Sequence, residues 1–264
     1  MAARYWRILW AIAALLAAGV TLAKPWPGDA QAAVVLGYDD ALPSQLYTAV
    51  GQLNDVNIKA TFYLTLTTVD ASGTWQQWRD VAQQGHALGN HTFSHPCRGD
   101  RAGRGWVSAE QDLSRWSAQQ LLADIERAQQ QLNQLAPASE RSFTPPCGDH
   151  LVGGKNYWAM LPADISVMRV PYDTKLPPVS PGITVIPTWF PVDVSAQTLI
   201  NFTEKAARDG GIASVSFHGI GGDHLSVDSA AHRQFLDYLA ANRNRYWITT
   251  TVALARHLKT VQSQ

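Results

Sequence analysis

The chain has 264 residues, and its 21 basic and 21 acidic side chains give a formal net charge of zero. Hydrophobic residues make up 46% of the chain and charged residues only 16%, a composition typical of a well-packed globular protein. The balanced charge argues against a nucleic-acid partner, because proteins that bind nucleic acid usually carry a surplus of Lys and Arg.

Residues 1–23 have the pattern of a secretory signal peptide. A positively charged start precedes a 13-residue apolar core, residues 8–20, and a small-residue cleavage site ends at Ala23. The core is shorter than the roughly 20 residues of a membrane-spanning helix. We therefore expect a secreted or periplasmic protein with no stable membrane insertion after cleavage, and an uncleaved N-terminal anchor is the less favoured alternative. Residues 24–32 are predicted to be a short linker.

Residues 33–260 alternate short apolar segments with helical segments. The predicted strands are 33–38, 60–64, 86–90, 142–144, 165–170, 183–187 and 212–217, with 246–250 as an eighth candidate. The predicted helices are 43–55, 74–84, 117–135, 196–209 and 229–242. This alternation indicates a parallel sheet built from βα units, and the length favours one closed or nearly closed barrel domain.

Two pairs of polar residues point to a metal site. The first strand ends in Asp39 and Asp40, whose carboxylates would repel each other when buried, and a cation would relieve that repulsion. His91 and His95 are four residues apart, so one helical turn would place both imidazoles on the same face, as in zinc sites. The alternatives are a turn or helix cap for the aspartates and a solvated helix face for the histidines.

Further reactive residues follow other predicted strands. A Pro-Pro-Cys segment ending at Cys147 follows the fourth strand, and His218 follows the strand 212–217. In βα barrels the active site gathers at the carboxyl ends of the strands. His218 has the alternative of a buried, hydrogen-bonded core histidine.

Taken in order, these motifs resemble those of the polysaccharide deacetylases, carbohydrate esterase family 4 or the NodB homology domain. The motifs are Tyr38-Asp39-Asp40, His91-Thr92-Phe93-Ser94-His95, Phe143-Thr144-Pro145-Pro146-Cys147-Gly148 and Ser216-Phe217-His218. The resemblance spans roughly residues 33–258. It implies a distorted (β/α) barrel, usually seven-stranded, that removes N- or O-linked acetyl groups from carbohydrate with one divalent metal ion, expected to be Zn²⁺.

The resemblance also assigns roles to residues. It implies that Asp40, His91 and His95 bind the metal ion. Asp39 would be the general base toward the attacking water, and His218 the general acid that protonates the leaving amine or alcohol.

The chain departs from the family motif at Thr144, where the family has an arginine that orients the catalytic aspartate. Arg169, at the end of the fifth predicted strand, is the expected substitute. The backbone N–H near Cys147 would help to bind the oxyanion. Trp189 is the candidate for a substrate-side wall, with core packing as the alternative, and no catalytic role is assigned to His224, His150 or His86.

The barrel interpretation places Cys97 and Cys147 on one rim of the site, and we expect a disulfide between them, as a secreted chain with two cysteines favours. The competing interpretation makes Cys97 a further metal ligand. Between them, residues 98–116 carry arginines and tryptophans that suit an anionic or polymeric glycan, or form a solvated loop.

The expected partner is an acetylated glycan. Two alternatives use the same scaffold. One is a catalytically impaired carbohydrate-binding domain, suggested by Thr144, and the other is a hydrolase of small cyclic amides. The chain lacks the Gly-x-Ser-x-Gly elbow of serine esterases.

Overall fold

The computed structural model describes residues 26–262, and the predicted signal peptide lies outside them. The strands are β1 Ala32–Asp39, β2 Thr61–Leu64, β3 Ala87–Asn90, β4 Arg141–Phe143, β5 Leu151–Val152, β6 Lys155–Asn156, β7 Ile165–Pro171, β8 Thr184–Thr188, β9 Ile212–Phe217 and β10 Tyr246–Thr249. The α-helices are α1 Val50–Asp55, α2 Leu66–Ser72, α3 Trp75–Gln83, α4 Ala118–Leu135, α5 Ala196–Asp209, α6 Ser229–Ala241 and α7 Thr251–Gln262.

Seven parallel strands form a nearly closed barrel, which confirms the predicted fold class. The strands β1, β2, β3, β4, β7 and β8 pair in that order, and β9 pairs with the other side of β1. The residue after β8, Trp189, connects β8 to β9, since its N–H donates to Ser214 O and its carbonyl accepts from Ser216 N. β10 is an additional parallel strand that pairs with the first half of β1.

The side chains of β1 alternate between two hydrophobic layers, as the period of two along a strand requires. Ala33 and Val35 pack in the same cluster as residues of β7, β8 and α7. Val34 and Leu36 pack in the cluster that includes Leu199 of α5 and Leu239 of α6. Both faces of β1 are covered and all eight of its residues are buried, as expected for a parallel strand.

All eight predicted strands and all five predicted helices are present, with bounds shifted by a few residues. The first helix begins as a π-helical turn, Gln45–Ala49, before α1. Two helices were not predicted: α2, which follows β2 after the single residue Thr65, and α7, which follows β10 after the single residue Thr250. The β5–β6 antiparallel pair was also missed, since each strand has only two residues.

Part of the predicted linker is packed into the domain. Trp26 is buried, its Nε1 donates to Gly210 O at 3.0 Å, and its ring stacks on Trp247. The packed domain therefore includes Trp26.

Candidate active site

A cavity of about 810 Å³ opens at the carboxyl ends of the strands, and six of the predicted site residues line it together. They are Asp39, Asp40, His91, His95, Cys147 and His218. Alternation along the strands explains why they converge. Ser214 and Ser216 of β9 hydrogen-bond to Thr188 and Asp39, and the next residue in that alternation is His218.

Asp40, His91 and His95 form a compact ligand set. The Nε2 atoms of His91 and His95 lie 3.1 and 3.3 Å from the same oxygen, Oδ1 of Asp40. One ligating atom from each residue lies within 4.8 Å of the other two. This arrangement matches the predicted set of metal-binding residues.

The two histidines are not on a helical turn, which corrects the local structure expected from their spacing. Thr92 and His95 have positive φ angles of 67° and 56°, so the segment is an irregular turn. Thr92 Oγ1 accepts from the backbone N–H of His95 at 2.9 Å, and the Asp124 carboxylate accepts from the N–H groups of Phe93 and Ser94. These bonds, rather than helix geometry, bring the rings together.

The hydrogen bonds of this ligand set fit a bound cation. His91 Nδ1 lies 2.7 Å from the Thr144 carbonyl, which accepts only, so Nδ1 carries a proton and the neutral form of the ring presents its lone pair at Nε2. That lone pair faces Asp40 Oδ1, a buried oxygen with no hydrogen-bond donor among residues 26–262. Two electron-rich atoms 3.1 Å apart are stabilised by a cation between them, and two imidazoles with one carboxylate are typical zinc ligands.

Asp39 is paired with Arg169, as the sequence predicted. Arg169 Nη2 donates to Asp39 Oδ1 at 2.5 Å, and Ser216 Oγ donates to the same oxygen at 3.0 Å. Asp39 is 2% exposed and Arg169 is 1% exposed. The guanidinium also lies over the ring of Tyr63, 3.7 Å from its centroid. Arg141, which precedes the motif, instead donates to the carbonyl of Leu88 at 2.7 Å.

The glycine at position 37 makes room for this arginine. A Cβ at Gly37 would lie 2.5 Å from Arg169 Nη1 and 2.8 Å from Ser216 Oγ. Any larger residue would therefore displace the guanidinium or the hydroxyl that bind Asp39.

His218 lies across the cavity from the histidine pair. Its Nε2 is 3.8 Å from Asp40 Oδ2, and its buried Nδ1 has no partner among the described residues. Burial lowers the pKa of His218. Gln45 Nε2 donates to the backbone carbonyls of both Asp39 and His218, at 2.5 and 3.1 Å, and so ties the ends of β1 and β9 together.

Cys97 and Cys147 form a disulfide, which confirms the predicted bond and excludes Cys97 as a thiolate ligand in this state. Cys147 has a φ angle of 56°, and the N–H of Gly148 already donates to Pro145 O at 3.1 Å. The bridge therefore fixes the Pro-Pro-Cys turn against the histidine loop.

Trp189 does not line the cavity, which corrects its predicted role as a substrate-side wall. Its ring packs on Phe202 of α5, with centroids 4.9 Å apart, beside the main hydrophobic cluster. Neighbouring residues in an extended segment point in opposite directions, so Phe190 faces the cavity instead, 6.1 Å from the ring of His218.

Two further lining residues bear on the site: His224, for which no role was predicted, and Trp106, one of the tryptophans of the predicted glycan-contacting segment 98–116. His224 Nε2 lies 2.8 Å from Asp40 Oδ2, and Trp106 is at the rim. The only sequence signal for His224 was the glycine-rich segment after His218. His86 and His150 have the structural environments expected of them, since His86 Nδ1 accepts from Ala60 N and His150 packs on Trp158.

The neighbours of Asp40 strongly affect its ionisation. Burial acts to raise the pKa of Asp40, but its hydrogen-bonding surroundings, first of all the contact with His224, outweigh burial and hold that pKa well below its usual range. The carboxylate is therefore ionised and available to bind a cation.

Comparison with known protein families identifies the chain. The family model described as polysaccharide deacetylase matches residues 28–158, which include the aspartate doublet and both metal-site histidines. The chain belongs to the polysaccharide deacetylase family. A comparison with curated protein sequences gave no match.

Solved structures of this family share the fold. The Xyl-CE4 domain of a multidomain xylanase from the hindgut metagenome of Trinervitermes trinervoides superimposes with a TM-score of 0.57 at 20% identity, covering 84% of this chain and 89% of that one. The peptidoglycan deacetylase PdaC from Bacillus subtilis gives 0.52 at 17% identity, covering 88% and 94%. A mutant of a family 4 pseudoenzyme gives 0.53 at 16% identity, covering 84% and 67%.

Proposed function

We propose that this polysaccharide deacetylase family member is a metal-dependent hydrolase that removes N- or O-linked acetyl groups from carbohydrate. One observation carries the proposal: the Asp40, His91 and His95 ligand set shares one cavity with the Asp39–Arg169 pair. A binding domain needs neither a buried carboxylate held by an arginine nor a zinc-type ligand set beside it.

Asp40, His91 and His95 would hold one divalent ion, for which Zn²⁺ is the best match to two nitrogens and one oxygen. When bound, such an ion acts as a Lewis acid that polarises an acyl carbonyl and lowers the pKa of water. Three protein ligands leave coordination positions open, as catalytic zinc requires.

Asp39 would act as the general base. Both of its side-chain hydrogen bonds, from Arg169 and Ser216, reach Oδ1, so Oδ2 is the oxygen that would accept the proton of the attacking water. The guanidinium of Arg169 fixes the orientation of the carboxylate. His218 would donate a proton from Nε2 to the leaving amine or alcohol, and the N–H of Cys147 would stabilise the oxyanion.

The second candidate function is a glycan-binding domain without catalysis. Thr144 in place of the family arginine favours it, and one structural relative is a mutant of a family 4 pseudoenzyme. The Arg169 contact argues against it, because a guanidinium from β7, the strand next to β4, reaches the same aspartate. A hydrolase of small cyclic amides would use the same groups. Its substrate would distinguish it from a carbohydrate deacetylase.

We also propose that the protein is secreted or periplasmic. The Cys97–Cys147 bond supports this localisation, because disulfides persist mainly in oxidising compartments. Within residues 26–262, none of the helices combines the length and the apolar character that crossing a bilayer requires.

Acetate release tests the proposal. The purified protein would be stripped with a chelator, reloaded with Zn²⁺ and assayed on acetylated chitin oligomers, peptidoglycan, xylan and sialic acids. We expect release from at least one glycan, loss after stripping and recovery with Zn²⁺. Binding of a glycan without acetate release in any metal would contradict the proposal and favour the second candidate, and turnover of cyclic amides alone would favour the third.

A further inference from the structure

Trp106 presents a large aromatic surface at the rim of the cavity. The residue is 63% exposed and lines the cavity, so much of its ring is available to a ligand. The apolar residues Leu42, Pro171, Phe190 and Leu225 line the same cavity. The hydrophobic C–H face of a sugar ring packs well on such a surface, because an aromatic ring offers a broad apolar area at a small entropic cost.

The loop that carries Trp106 is held in place. The Cys97–Cys147 bond ties its start to the Pro-Pro-Cys turn. The Arg104 guanidinium binds the Asp149 carboxylate and donates to the carbonyl of Cys147 at 3.0 Å. Val107 N donates to Arg104 O at 3.0 Å. The backbone that carries the indole is therefore held in place before a ligand arrives, which reduces the entropy lost on binding.

The arginines of this loop do not line the cavity. None of the lysines or arginines in residues 26–262 lines the cavity. Each arginine of residues 98–116 lies near a carboxylate of its own surroundings: Arg98 to Asp100, Arg101 and Arg104 to Asp149, and Arg115 to Asp112. The structure thus gives no support to the expectation that they bind an anionic glycan.

We propose that the cavity binds an uncharged acetylated sugar chain, with Trp106 as the stacking surface for one sugar ring. This inference rests on the proposed function and names its substrate class. A carboxylated sugar would lose hydration of its charge at the rim without gaining a Lys or Arg partner among the lining residues, whereas a neutral sugar has no charge to desolvate.

Calorimetric binding tests the inference separately from turnover. In an Asp39→Asn background, we would compare a neutral N-acetylglucosamine tetramer with a tetramer that alternates N-acetylglucosamine and N-acetylmuramic acid. We expect the Kd of the neutral tetramer to be at least about tenfold lower, to rise about tenfold with Trp106→Ala and to recover with Trp106→Phe. Tyr47→Ala is the matched control, because Tyr47 is 76% exposed and does not line the cavity.

Equal or tighter binding of the carboxylated tetramer, no binding of either, or an unchanged Kd in Trp106→Ala would overturn the inference. If the neutral tetramer binds through Trp106 but the wild-type protein releases no acetate from any glycan, the proposed function fails and the inference on substrate class stands.

A second inference comes from an independent contact. His224 Nε2 lies 2.8 Å from Asp40 Oδ2, the carboxylate oxygen that does not face the histidine pair, although the His224 side chain is 56% exposed. Because the carboxylate only accepts, Nε2 carries the proton and donates. His224 therefore occupies Oδ2, which leaves Oδ1 as the oxygen directed toward His91 and His95.

Hydrogen bonds hold the loop around His224 in place. Gly219 N donates to His224 O at 3.1 Å, and Asp223 Oδ2 accepts from Ser44 N at 2.8 Å. A Cβ at Gly219 would overlap the carbonyl of Gly222, so this tight turn requires glycine. The imidazole is thus presented to Asp40 by a closed backbone turn rather than by a free loop.

The geometry points to His224 as a positioning residue for the metal site, one that holds Asp40 so that a single oxygen binds the ion. Partners of this kind usually contribute 10–100-fold to metal affinity. The test is the Zn²⁺ dissociation constant of the metal-free protein, measured by competition with a chromogenic chelator. We expect His224→Ala to weaken Zn²⁺ binding about 10–100-fold, and His224→Gln, which retains a donor at similar reach, to stay within a few-fold of wild type.

His150→Ala is the control, since His150 packs on Trp158 and does not line the cavity. An unchanged Zn²⁺ affinity in His224→Ala would overturn the role. So would a His224→Gln protein as weak as His224→Ala, because the imidazole itself would then be binding the ion.

Discussion

The guanidinium of Arg169 reaches the carboxylate of Asp39 across 130 positions of sequence, with Nη2 2.5 Å from Oδ1. Arg169 belongs to β7 and Asp39 ends β1, so the two strands contribute a pair from different sides of the barrel interior. Arg169 thus supplies to Asp39 the guanidinium that Thr144 lacks.

Arg169→Ala should lower kcat roughly 10–100-fold, because Asp39 would lose its charge partner and its orientation. Removing one member of a buried ion pair also lowers the free energy of unfolding by about 3–5 kcal/mol, so Arg169→Ala could lose activity by unfolding. The second variant is therefore Gly37→Ala, which keeps both charges. The new Cβ would lie 2.5 Å from Arg169 Nη1, and we expect kcat to fall with little change in KM. Gly51→Ala is the control, since nothing lies within 4 Å of a Cβ there. Wild-type kcat in Gly37→Ala would contradict the role.

Asp39→Asn should reduce turnover by roughly 10²–10⁴-fold, the usual effect of removing a positioned general base. Its metal content, measured by atomic emission, should match wild type, because Asp40 rather than Asp39 is the proposed ligand. Loss of metal from this variant would show that the two aspartate roles are exchanged.

His91→Ala should lose bound Zn²⁺ and activity together, since two remaining ligands bind a divalent ion poorly. His218→Ala is the contrasting variant and should retain Zn²⁺ while losing turnover, as expected of a general acid. Metal analysis and acetate release on both proteins check the prediction. Stoichiometric metal in active His91→Ala would remove His91 from the ligand set.

The Cys97–Cys147 bond closes a loop of 50 residues. The chain-entropy model gives such a loop roughly 4 kcal/mol of stabilisation through the unfolded state. Reduction, or a Cys97→Ser/Cys147→Ser double variant, should lower the free energy of unfolding by a few kcal/mol. Hydrogen exchange should rise in residues 98–116, which the bond tethers, and stay unchanged in α6, which lies elsewhere in the chain. An equal change in exchange rate in both regions on reduction would contradict this tethering.

His232 should make the protein less stable in acid. Burial lowers the pKa of His232 to about 3, and its ring is hydrogen-bonded to Tyr38 and Gln52. The unfolded chain binds a proton near the ordinary pKa of about 6.5, so stability is fully present above that pH and declines as pH falls toward 3. Between these two pKa values, the contribution of His232 to the slope of the free energy of unfolding against pH approaches roughly 1.4 kcal/mol per pH unit.

Urea titrations at pH 7 and pH 5 measure that slope. A His232→Gln variant, which cannot titrate, should show a smaller loss between the two values than wild type. An equal loss in both proteins would assign the acid sensitivity to other groups, of which His86 is the first candidate because burial lowers its pKa to about 4.

The sequence by itself determined the class of fold and most of the candidate site. Alternating apolar segments are a local property, so eight strands and five helices could be located from their period and their turn residues. The aspartate doublet and the His-x-x-x-His spacing are also local, and the rule that reactive groups gather at strand ends placed His218 with them.

Only the tertiary structure decided which side chains from distant strands meet. Whether Arg169 reaches Asp39 depends on the register of β7 against β8 and on the space left by Gly37, and neither can be read from the arginine's own neighbourhood. Trp189 and Phe190 are adjacent in sequence, yet one packs on α5 and the other lines the cavity, because a shift of one residue reverses the face. His224 contacts Asp40 because backbone hydrogen bonds of the folded chain close its turn. The local sequence around His224 therefore did not predict the contact.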